Sequence, residues 1–282
     1  MEYWESEYWK LETGNRMKNR IVIGQYYPAD SPVHALDPRV KLGAAVIFIT
    51  ALFFVRNFYG YAAAALGVAA AARASKVPPR LLLRGLRGIL FLLIFMVVLQ
   101  VFFTPGATVI FSFHFIQISA EGLIQAAKMA LRLVLLISGS TLLTLTTSPI
   151  QLTDAIEYML KPFKRIGLPA HEIAMMMTIA LRFIPTLIEE TDKIMKAQMA
   201  RGADFDTGGL LKKAKSLIPL LVPLFVSAFR RADELAMAME ARCYRGDVNR
   251  TRMKEMRMTK RDLAAVGMFA GFVAVTLGMN VF

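Results

Sequence analysis

The sequence predicts an all-α integral membrane protein with about five transmembrane helices and a cytoplasmic-side domain of long, kinked amphipathic helices. Hydrophobic residues make up 56% of the 282 residues, and the mean hydropathy of +0.47 is too high for a purely soluble fold. Uncharged stretches recur, and one runs from Gly88 to Ala120. The net charge is +13, and the basic residues gather where apolar runs end, as in loops facing an anionic cytoplasmic leaflet. That grouping makes nucleic-acid binding the less favoured use of the charge.

The first two predicted spans form a hairpin. They run from about Leu42 to Val55 and from about Asn57 to Ala72, and the chain turns at Asn57-Phe58-Tyr59-Gly60. Both runs are short, because helices of 14 to 16 residues cover about 21–24 Å. The basic side chains that flank these runs must therefore extend their charged groups toward the membrane surface.

The third span is predicted from Gly88 to about Thr104, where Pro105-Gly106 ends the helix. In the apolar loop that follows, phenylalanines alternate with polar residues from Phe111 to Phe115, which is typical of a short extended segment. His114 stands alone in that loop, so a hydrogen-bonded loop residue is favoured over a ligand.

The fourth span runs from about Gly122 to Thr147 and contains Arg132. An arginine inside a span normally faces protein or water. Two interpretations of Arg132 stay equally open, namely packing against a partner group and extension of the guanidinium to the membrane surface. A fifth span, from about Leu263 to Phe282, carries no charge over 20 residues.

The distribution of basic residues predicts a cytoplasmic N-terminus and an extracytoplasmic C-terminus. Arg56 stands alone between spans one and two, and no lysine or arginine lies between Pro105 and Ala120. The first 20 residues mix four acids with four bases, so they lack the apolar core of a signal peptide and are interpreted as a cytoplasmic tail. Basic residues are dense between spans two and three and before the last span: Arg73, Lys76, Arg80, Arg84, Arg87, Arg245, Arg250, Arg252, Lys254, Arg257, Lys260 and Arg261.

The chain changes character after the fourth span. Ser148-Pro149 is a helix-start signal, and that helix is predicted to run to about Phe163. Two long helices follow, from Ala170 to Ala200, which is about 46 Å, and from about Leu210 to Ala241. Prolines within these helices predict kinks at Pro185, Pro219 and Pro223. The predicted division is a tail (1–20), spans one to four (21–147), a cytoplasmic or interfacial helical domain (148–260) and a last span (261–282).

Two matched tripeptides stand where the long helices end. They are Ala200-Arg201-Gly202 and Ala241-Arg242-Cys243, and an aspartate lies nine residues before each arginine. A single arginine at a helix C-terminus is explained by the negative end of the helix dipole, which favours it by about 0.3–1 kcal/mol. The pair suggests something more, because each guanidinium can grip a carboxylate and the preceding alanine leaves room for close approach. We therefore predict that these residues are a paired docking site.

Catalytic and cofactor-binding patterns are missing from the sequence. It contains no Gly-Lys-Ser/Thr phosphate loop, no spaced cluster of histidines and carboxylates, and no serine flanked by glycines. The lone Cys243 excludes an internal disulfide and a cysteine-based zinc site. We therefore expect no catalytic residue, no bound metal and no bound cofactor. Two alternatives are a permease subunit that binds substrate itself and a membrane-embedded lipid-modifying enzyme, although the spans lack converging polar groups and the carboxylates are scattered.

Three parts of the sequence together carry a family resemblance. The first comprises Gly24-Gln25-Tyr26, Asp30-Ser31-Pro32-Val33-His34 and Leu36-Asp37-Pro38-Arg39-Val40-Lys41-Leu42, the second is Ala180-Leu181-Arg182-Phe183-Ile184-Pro185-Thr186-Leu187, and the third is the pair of tripeptides. In these parts the chain resembles the transmembrane T component of energy-coupling factor (ECF) transporters, the vitamin and transition-metal importers of prokaryotes. The resemblance extends from about Ile23 to the end, and Cys243 departs from it mildly, since that family usually has glycine or another small residue there.

The resemblance implies a non-catalytic scaffold in a prokaryotic plasma membrane. Such a scaffold joins two cytoplasmic ABC ATPase subunits to one substrate-capturing membrane S component and transmits the motion driven by ATP. The docking residues would be Ala200, Arg201 and Gly202 with Ala241, Arg242 and Cys243, and the long helices would be coupling helices. ATP and magnesium would bind to the partner subunits. The identity of the transported vitamin or metal would be determined by another chain.

Overall fold

The structure, a computed structural model, describes residues 26–104, 108–113, 116–203, 205, 209, 215–246 and 258–279. Helices dominate this part of the chain, as predicted, and the predicted tail at residues 1–20 lies outside it. The helices are α1 (Pro38–Phe54), α2 (Phe58–Ala74), α3 (Pro79–Arg87), α4 (Leu90–Phe103), α5 (Ala120–Thr146), α6 (Pro149–Leu160), α7 (Ala170–Ala200), α8 (Ile218–Ala241) and α9 (Lys260–Gly278). Between α4 and α5, strands β1 (Val109–Phe113) and β2 (Ile116–Ser119) pair antiparallel.

Helices α1 and α2 form the predicted hairpin. Asp37 caps α1 by accepting a hydrogen bond from the backbone amide of Arg39 at 2.9 Å, and Pro38 occupies the first turn. Each helix has 17 residues and covers about 25 Å, somewhat less than the ~30 Å hydrocarbon core of a bilayer. The hairpin is therefore short for a span, as the sequence indicated.

The core of the bundle lies between this hairpin and α5. Phe48 and Leu52 of α1, and Val55 at its C-cap, pack with Tyr61 of α2 and Leu135 of α5, and each is at most 8% exposed. Gly139 of α5 lies against the Phe48 ring, where an added Cβ would come within 2.8 Å. The core is small, and many large apolar side chains point outward, which suits a protein whose solvent is lipid.

The third predicted span corresponds to α4, which begins two residues after the predicted Gly88 and ends one residue before Thr104. The sequence predicted no helix between spans two and three, whereas the structure has α3 there, with a 61° bend between α3 and α4. Pro79 lies in the first turn of α3, and Gly85 faces Thr141 of α5 so closely that a Cβ would come within 2.9 Å of its hydroxyl. This contact with α5 fixes the direction of α3. It joins residues that are far apart in the chain, so the local sequence around α3 does not predict it.

Three helices of the described part are long and apolar enough to cross a membrane: α5, α7 and α9. The bent pair of α3 and α4 makes a fourth if it counts as one span. The sequence analysis placed α7 in a cytoplasmic or interfacial domain at the membrane surface. The structure differs from that prediction, because α7 is long and apolar enough to cross the membrane. Helix α9 begins three residues before the predicted Leu263, because Thr259 and Asp262 cap its first turn.

Phe111 and Phe113 lie in β1, which confirms the extended segment, while His114 and Phe115 lie outside the described residues. Helix α6 begins at the predicted place, with a capping box between Ser148 and Gln151, and continues beyond Leu160 as a 3₁₀-helix to Ile166.

Gly167, with a φ of +90°, stops the 3₁₀-helix, and α7 has the predicted bounds. Pro185 and Pro223 lie inside α7 and α8, as predicted. Pro219 lies in the first turn of α8, where a missing amide removes no helical hydrogen bond, so the reason for a kink there disappears. The predicted start of this helix at Leu210 lies outside the described residues.

Candidate docking site at two helix ends

Helix α7 ends in a Schellman motif built around the first tripeptide. Arg201 is the C-cap residue, and Gly202 follows with a φ of +88°. The Gly202 amide donates to the carbonyl of Met199 at 3.0 Å, and the Ala203 amide donates to the carbonyl of Gln198 at 3.0 Å. The glycine is needed for the left-handed backbone, so the usual explanation of a glycine past a helix end is correct for Gly202.

Helix α8 ends in the same motif. Arg242 is again the C-cap residue, the Cys243 amide donates to the carbonyl of Glu240 at 2.8 Å, and the Tyr244 amide donates to the carbonyl of Met239 at 3.0 Å. Cys243 takes a φ of +55°, in the left-handed region that Gly202 occupies on α7. The departure from glycine therefore changes the residue and leaves the backbone geometry unchanged.

The six predicted docking residues are all exposed. Within the described part of the chain, neither Arg201 nor Arg242 forms an ion pair or a hydrogen bond through its guanidinium. Two carbonyls at each helix end are satisfied by the backbone amides of the Schellman motif and not by the guanidinium groups. Each helix end thus presents a cation that a carboxylate of another protein can reach.

The two long helices cross at a polar contact that sequence reasoning missed. Arg231 Nη2 of α8 donates to Glu190 Oε2 of α7 at 2.8 Å, and the Ser227 hydroxyl donates to the other oxygen of the same carboxylate. Glu190 lies eleven residues before Arg201, and Arg231 lies eleven residues before Arg242. The crossing therefore joins equivalent positions of the two helices. We call the parts of α7 and α8 from the crossing to Arg201 and to Arg242 the two arms, and each is about 16 Å long.

The elbow between α6 and α7 connects these arms to the bundle. His171 Nδ1 lies 3.3 Å from Glu157 Oε1, and the Arg39 guanidinium lies over the Tyr158 ring at 3.8 Å from its centroid. The first contact ties α7 to α6, and the second ties α6 to α1. A displacement of the arms can therefore reach the hairpin through α6.

A second polar cluster binds the starts of α1 and α9 to the end of α5. The Asp37 amide donates to Asp262 Oδ1 at 2.8 Å, and the buried Lys41 Nζ donates to the carbonyls of His34 at 3.1 Å and Thr146 at 3.0 Å. The sequence analysis named Asp37 and Lys41 only as part of the family resemblance and assigned no structural role to them. The signal that could have revealed this cluster is the position of Lys41, a charged residue between the helix-start pair Asp37-Pro38 and the first apolar run.

His34 holds the segment before α1. Its Nε2 donates to the carbonyl of Tyr27 at 2.9 Å, and its Nδ1 lies 2.6 Å from the Ser31 hydroxyl oxygen, from which a neutral ring accepts a hydrogen bond. Burial of the ring lowers the pKa of His34 below its ordinary value, which also favours the neutral form.

Arg132 packs against partner groups, as in the first of the two interpretations given above. Its Nη2 donates to the carbonyl of Val55 at 3.1 Å, and its guanidinium lies 5.8 Å and 5.9 Å from the ring centroids of Phe53 and Tyr61.

No group of three or more histidine, cysteine, aspartate and glutamate side chains that could hold a metal occurs among the described residues.

Comparison with known proteins gives a consistent result. The CbiQ family model, described as "Cobalt transport protein", matches residues 29–254. A protein of Thermosediminibacter oceani is 58% identical over 245 residues, covering 87% of this chain and 92% of the relative. One of Clostridium kluyveri is 58% identical over 246 residues (87% and 91%), and one of Ruminiclostridium cellulolyticum is 53% identical over 260 residues (92% and 97%). All three relatives bear the name "Energy-coupling factor transporter transmembrane protein EcfT".

Proposed function

The chain belongs to the CbiQ/EcfT family of energy-coupling factor transporter transmembrane proteins, and from this premise we propose how it couples its partners. It is a membrane component of an ATP-driven importer and links two cytoplasmic ATPase subunits to one substrate-capturing membrane subunit. The observation that carries the proposal is that two helices end in the same backbone motif, each with an exposed arginine. These relatives favour neither a permease that binds substrate itself nor a lipid-modifying enzyme.

The geometry of the arms supports docking to two similar subunits. Arg201 and Arg242 lie the same number of residues from the crossing, and both sit on the same backbone motif. Two copies of an ATPase offer two equal grooves, so two equal arms match them. A charge-assisted hydrogen bond in a protected groove is worth roughly 1.5–3 kcal/mol, which is enough for each arm to follow its groove as it moves.

The remaining assignments follow from the same role. The chain supplies no catalytic group, and ATP and magnesium bind to the ATPase subunits. It lies in the plasma membrane of a prokaryote, with the N-terminus and the coupling helices on the cytoplasmic side and the C-terminus outside. The dense basic residues of α3 and of the segment before α9 support this orientation through the preference of lysine and arginine for the cytoplasmic side.

Charge reversal at the ends of both arms, which we call the tips, tests the docking proposal. Arg201→Glu combined with Arg242→Glu places like charges against the carboxylates of the two grooves. We expect recovery of the ATPase subunits in co-purification to fall at least about tenfold, which corresponds to a loss of about 1.4 kcal/mol, while the chain still inserts into the membrane.

Each single reversal should weaken recovery less, because the other arm remains. The matched control is Arg80→Glu with Arg84→Glu, two exposed arginines on α3 that lie away from the arms. Undiminished ATPase recovery with the double tip variant, or an equal loss with the α3 control, would count decisively against docking through the tips.

A further inference from the structure

Helix α3 carries three arginines on one face. Arg80, Arg84 and Arg87 are spaced by four and three residues, so their side chains project from the same side of the helix, and all three are exposed. The helix packs against α5 through a different side, because Gly85 lies against Thr141 of that helix. The face that carries the arginines therefore points away from the bundle.

The positive charge of this face has no counterpart in the neighbouring chain. The sequence contains no aspartate or glutamate from Pro38 to Ala120, and it places two further exposed cations, Arg73 and Lys76, just before α3. The only acid of α5 is Glu121, which lies 20 residues and about 30 Å before Thr141. Within the described part of the chain, the three arginines of α3 form no ion pair, no side-chain hydrogen bond and no ring contact. The charge of this face is therefore available to a ligand.

Exposed apolar side chains lie beside these cations. Leu83 lies among the arginines of α3 and is 62% exposed. Just beyond Arg87 the chain bends by 61° into α4, and Leu90 and Phe91 after that bend are 51% and 82% exposed. Cations next to exposed apolar side chains are typical of a helix in a membrane interface, where the charges meet headgroups and the apolar groups meet acyl chains.

The contact with α5 determines how deep α3 lies. Helix α5 is long and apolar enough to cross the membrane, so its end at Thr146 marks a membrane surface. Thr141, the residue that faces Gly85, lies five residues before that end, which is about 8 Å along the helix. Helix α6 begins directly beyond the same end, at Pro149. Helix α3 is therefore close to the membrane surface from which the chain continues toward the arms.

We propose that the arginine face of α3 binds the phosphate groups of anionic phospholipids at this membrane surface. Each guanidinium offers a fork of donors that matches phosphate oxygens, and each basic residue near an anionic membrane surface strengthens binding by about fivefold. A lipid accounts for both features of the surface, since its phosphate meets the arginines and its acyl chains cover Leu83 and the bend. The bound lipids fasten α3 to the leaflet from which the arms extend.

Hydrogen exchange of the backbone amides from Leu83 to Gly88 tests the proposal, because it reports on α3 alone. The purified full chain is placed in nanodiscs of phosphatidylcholine and in nanodiscs of phosphatidylcholine mixed with phosphatidylglycerol. We expect exchange to be slower by about tenfold in the mixed nanodiscs. Raising the salt concentration should reduce this difference, because salt screens exposed charges.

Two triple variants separate the charge from the helix. Arg80→Gln combined with Arg84→Gln and Arg87→Gln removes the charges and retains good helix propensity, so exchange should become equally fast in both kinds of nanodisc. The matched control replaces the same three arginines with lysine, which preserves the charge, and most of the slowing should remain. A thermal unfolding curve verifies that both variants are folded.

Three outcomes would overturn the proposal. The first is equal exchange in both kinds of nanodisc for the wild type, or undiminished slowing in the glutamine variant. The second is slowing by inorganic phosphate in phosphatidylcholine nanodiscs without a further effect of phosphatidylglycerol, which would identify a soluble anion as the ligand. The third is slowing that occurs only after the ATPase subunits or the substrate-capturing subunit are added, which would assign the arginines to a partner protein.

Discussion

Cys243 occupies a backbone position that normally belongs to glycine. Its φ of +55° is required by the two Schellman hydrogen bonds that end α8. For a residue with a Cβ this conformation costs roughly 1–2 kcal/mol, while glycine would lose about 0.5–1 kcal/mol more entropy on folding. Cysteine at this position is therefore less favourable than glycine by up to about 1.5 kcal/mol. Gly202, at φ +88°, avoids this strain on α7.

Cys243→Gly is therefore expected to stabilise the last turn of α8 by about 0.5–1 kcal/mol, because it relieves the left-handed strain. Hydrogen exchange of the backbone amides from Met239 to Tyr244 measures this directly, and exchange should slow. The reciprocal variant Gly202→Ala should speed exchange at the end of α7. Among the residues that the structure describes, no atom lies within 4 Å of the Cβ position at Gly202, so the effect there reports backbone strain. Faster exchange in Cys243→Gly would contradict this account.

At the scale of the helices, the contact between Glu190 and Arg231 joins α7 and α8 at their crossing. The Glu190 side chain is 23% exposed and that of Arg231 37%, so screening by solvent limits the strength of the pair to about 0.2–1 kcal/mol. The bond from Ser227 adds a second constraint on the carboxylate. We infer that the contact sets the angle between the arms more than it stabilises the fold.

Glu190→Gln is expected to loosen that angle. The lone native Cys243 allows a spin-label pair with Ala203→Cys, one label just beyond each tip, and the distance between the labels can be measured by electron paramagnetic resonance. We expect one narrow distance distribution in the parent and a broader one in Glu190→Gln, since the amide loses the ion pair. Exchanging the charges, with Glu190→Arg and Arg231→Glu, should narrow it again. An unchanged distribution in Glu190→Gln would show that packing alone sets the crossing.

The elements with local signals were predictable, and those fixed by contacts between helices were not. Helix α7 has the predicted bounds because Pro169 precedes it and Gly202 follows its C-cap. The separate helix α3 was missed because its direction depends on the approach of Gly85 to α5. The ion pair at the crossing was also missed, although the 41-residue offset that relates the two tripeptides also relates Glu190 to Arg231. A repeat indicates equivalence but does not reveal that the two copies touch.

At the scale of the whole molecule, the polar contacts lie at the two ends of an apolar bundle. At one end, Asp262 and Lys41 join α9, α1 and α5, and α6 carries the connection on to the arms. At the other end, Arg132 joins α5 to the α1–α2 turn. Between these ends the helices meet through the apolar core of Phe48, Leu52, Tyr61 and Leu135. This distribution suits a scaffold that tilts as one body when its arms are moved.

A scaffold of this kind should transmit the energy of ATP without consuming it. We expect the purified chain in lipid nanodiscs to show no ATP turnover above that of empty nanodiscs, because its 282 residues contain no phosphate loop of the Gly-Lys-Ser/Thr type. Release of inorganic phosphate measures this, and adding the ATPase subunits should restore turnover. With the Arg201→Glu and Arg242→Glu variant, the ATPase subunits should hydrolyse ATP no faster than they do without this chain. ATP hydrolysis that co-elutes with the isolated chain through a second purification step would mean that this chain itself hydrolyses ATP. It would then be an ATPase and not a non-catalytic scaffold.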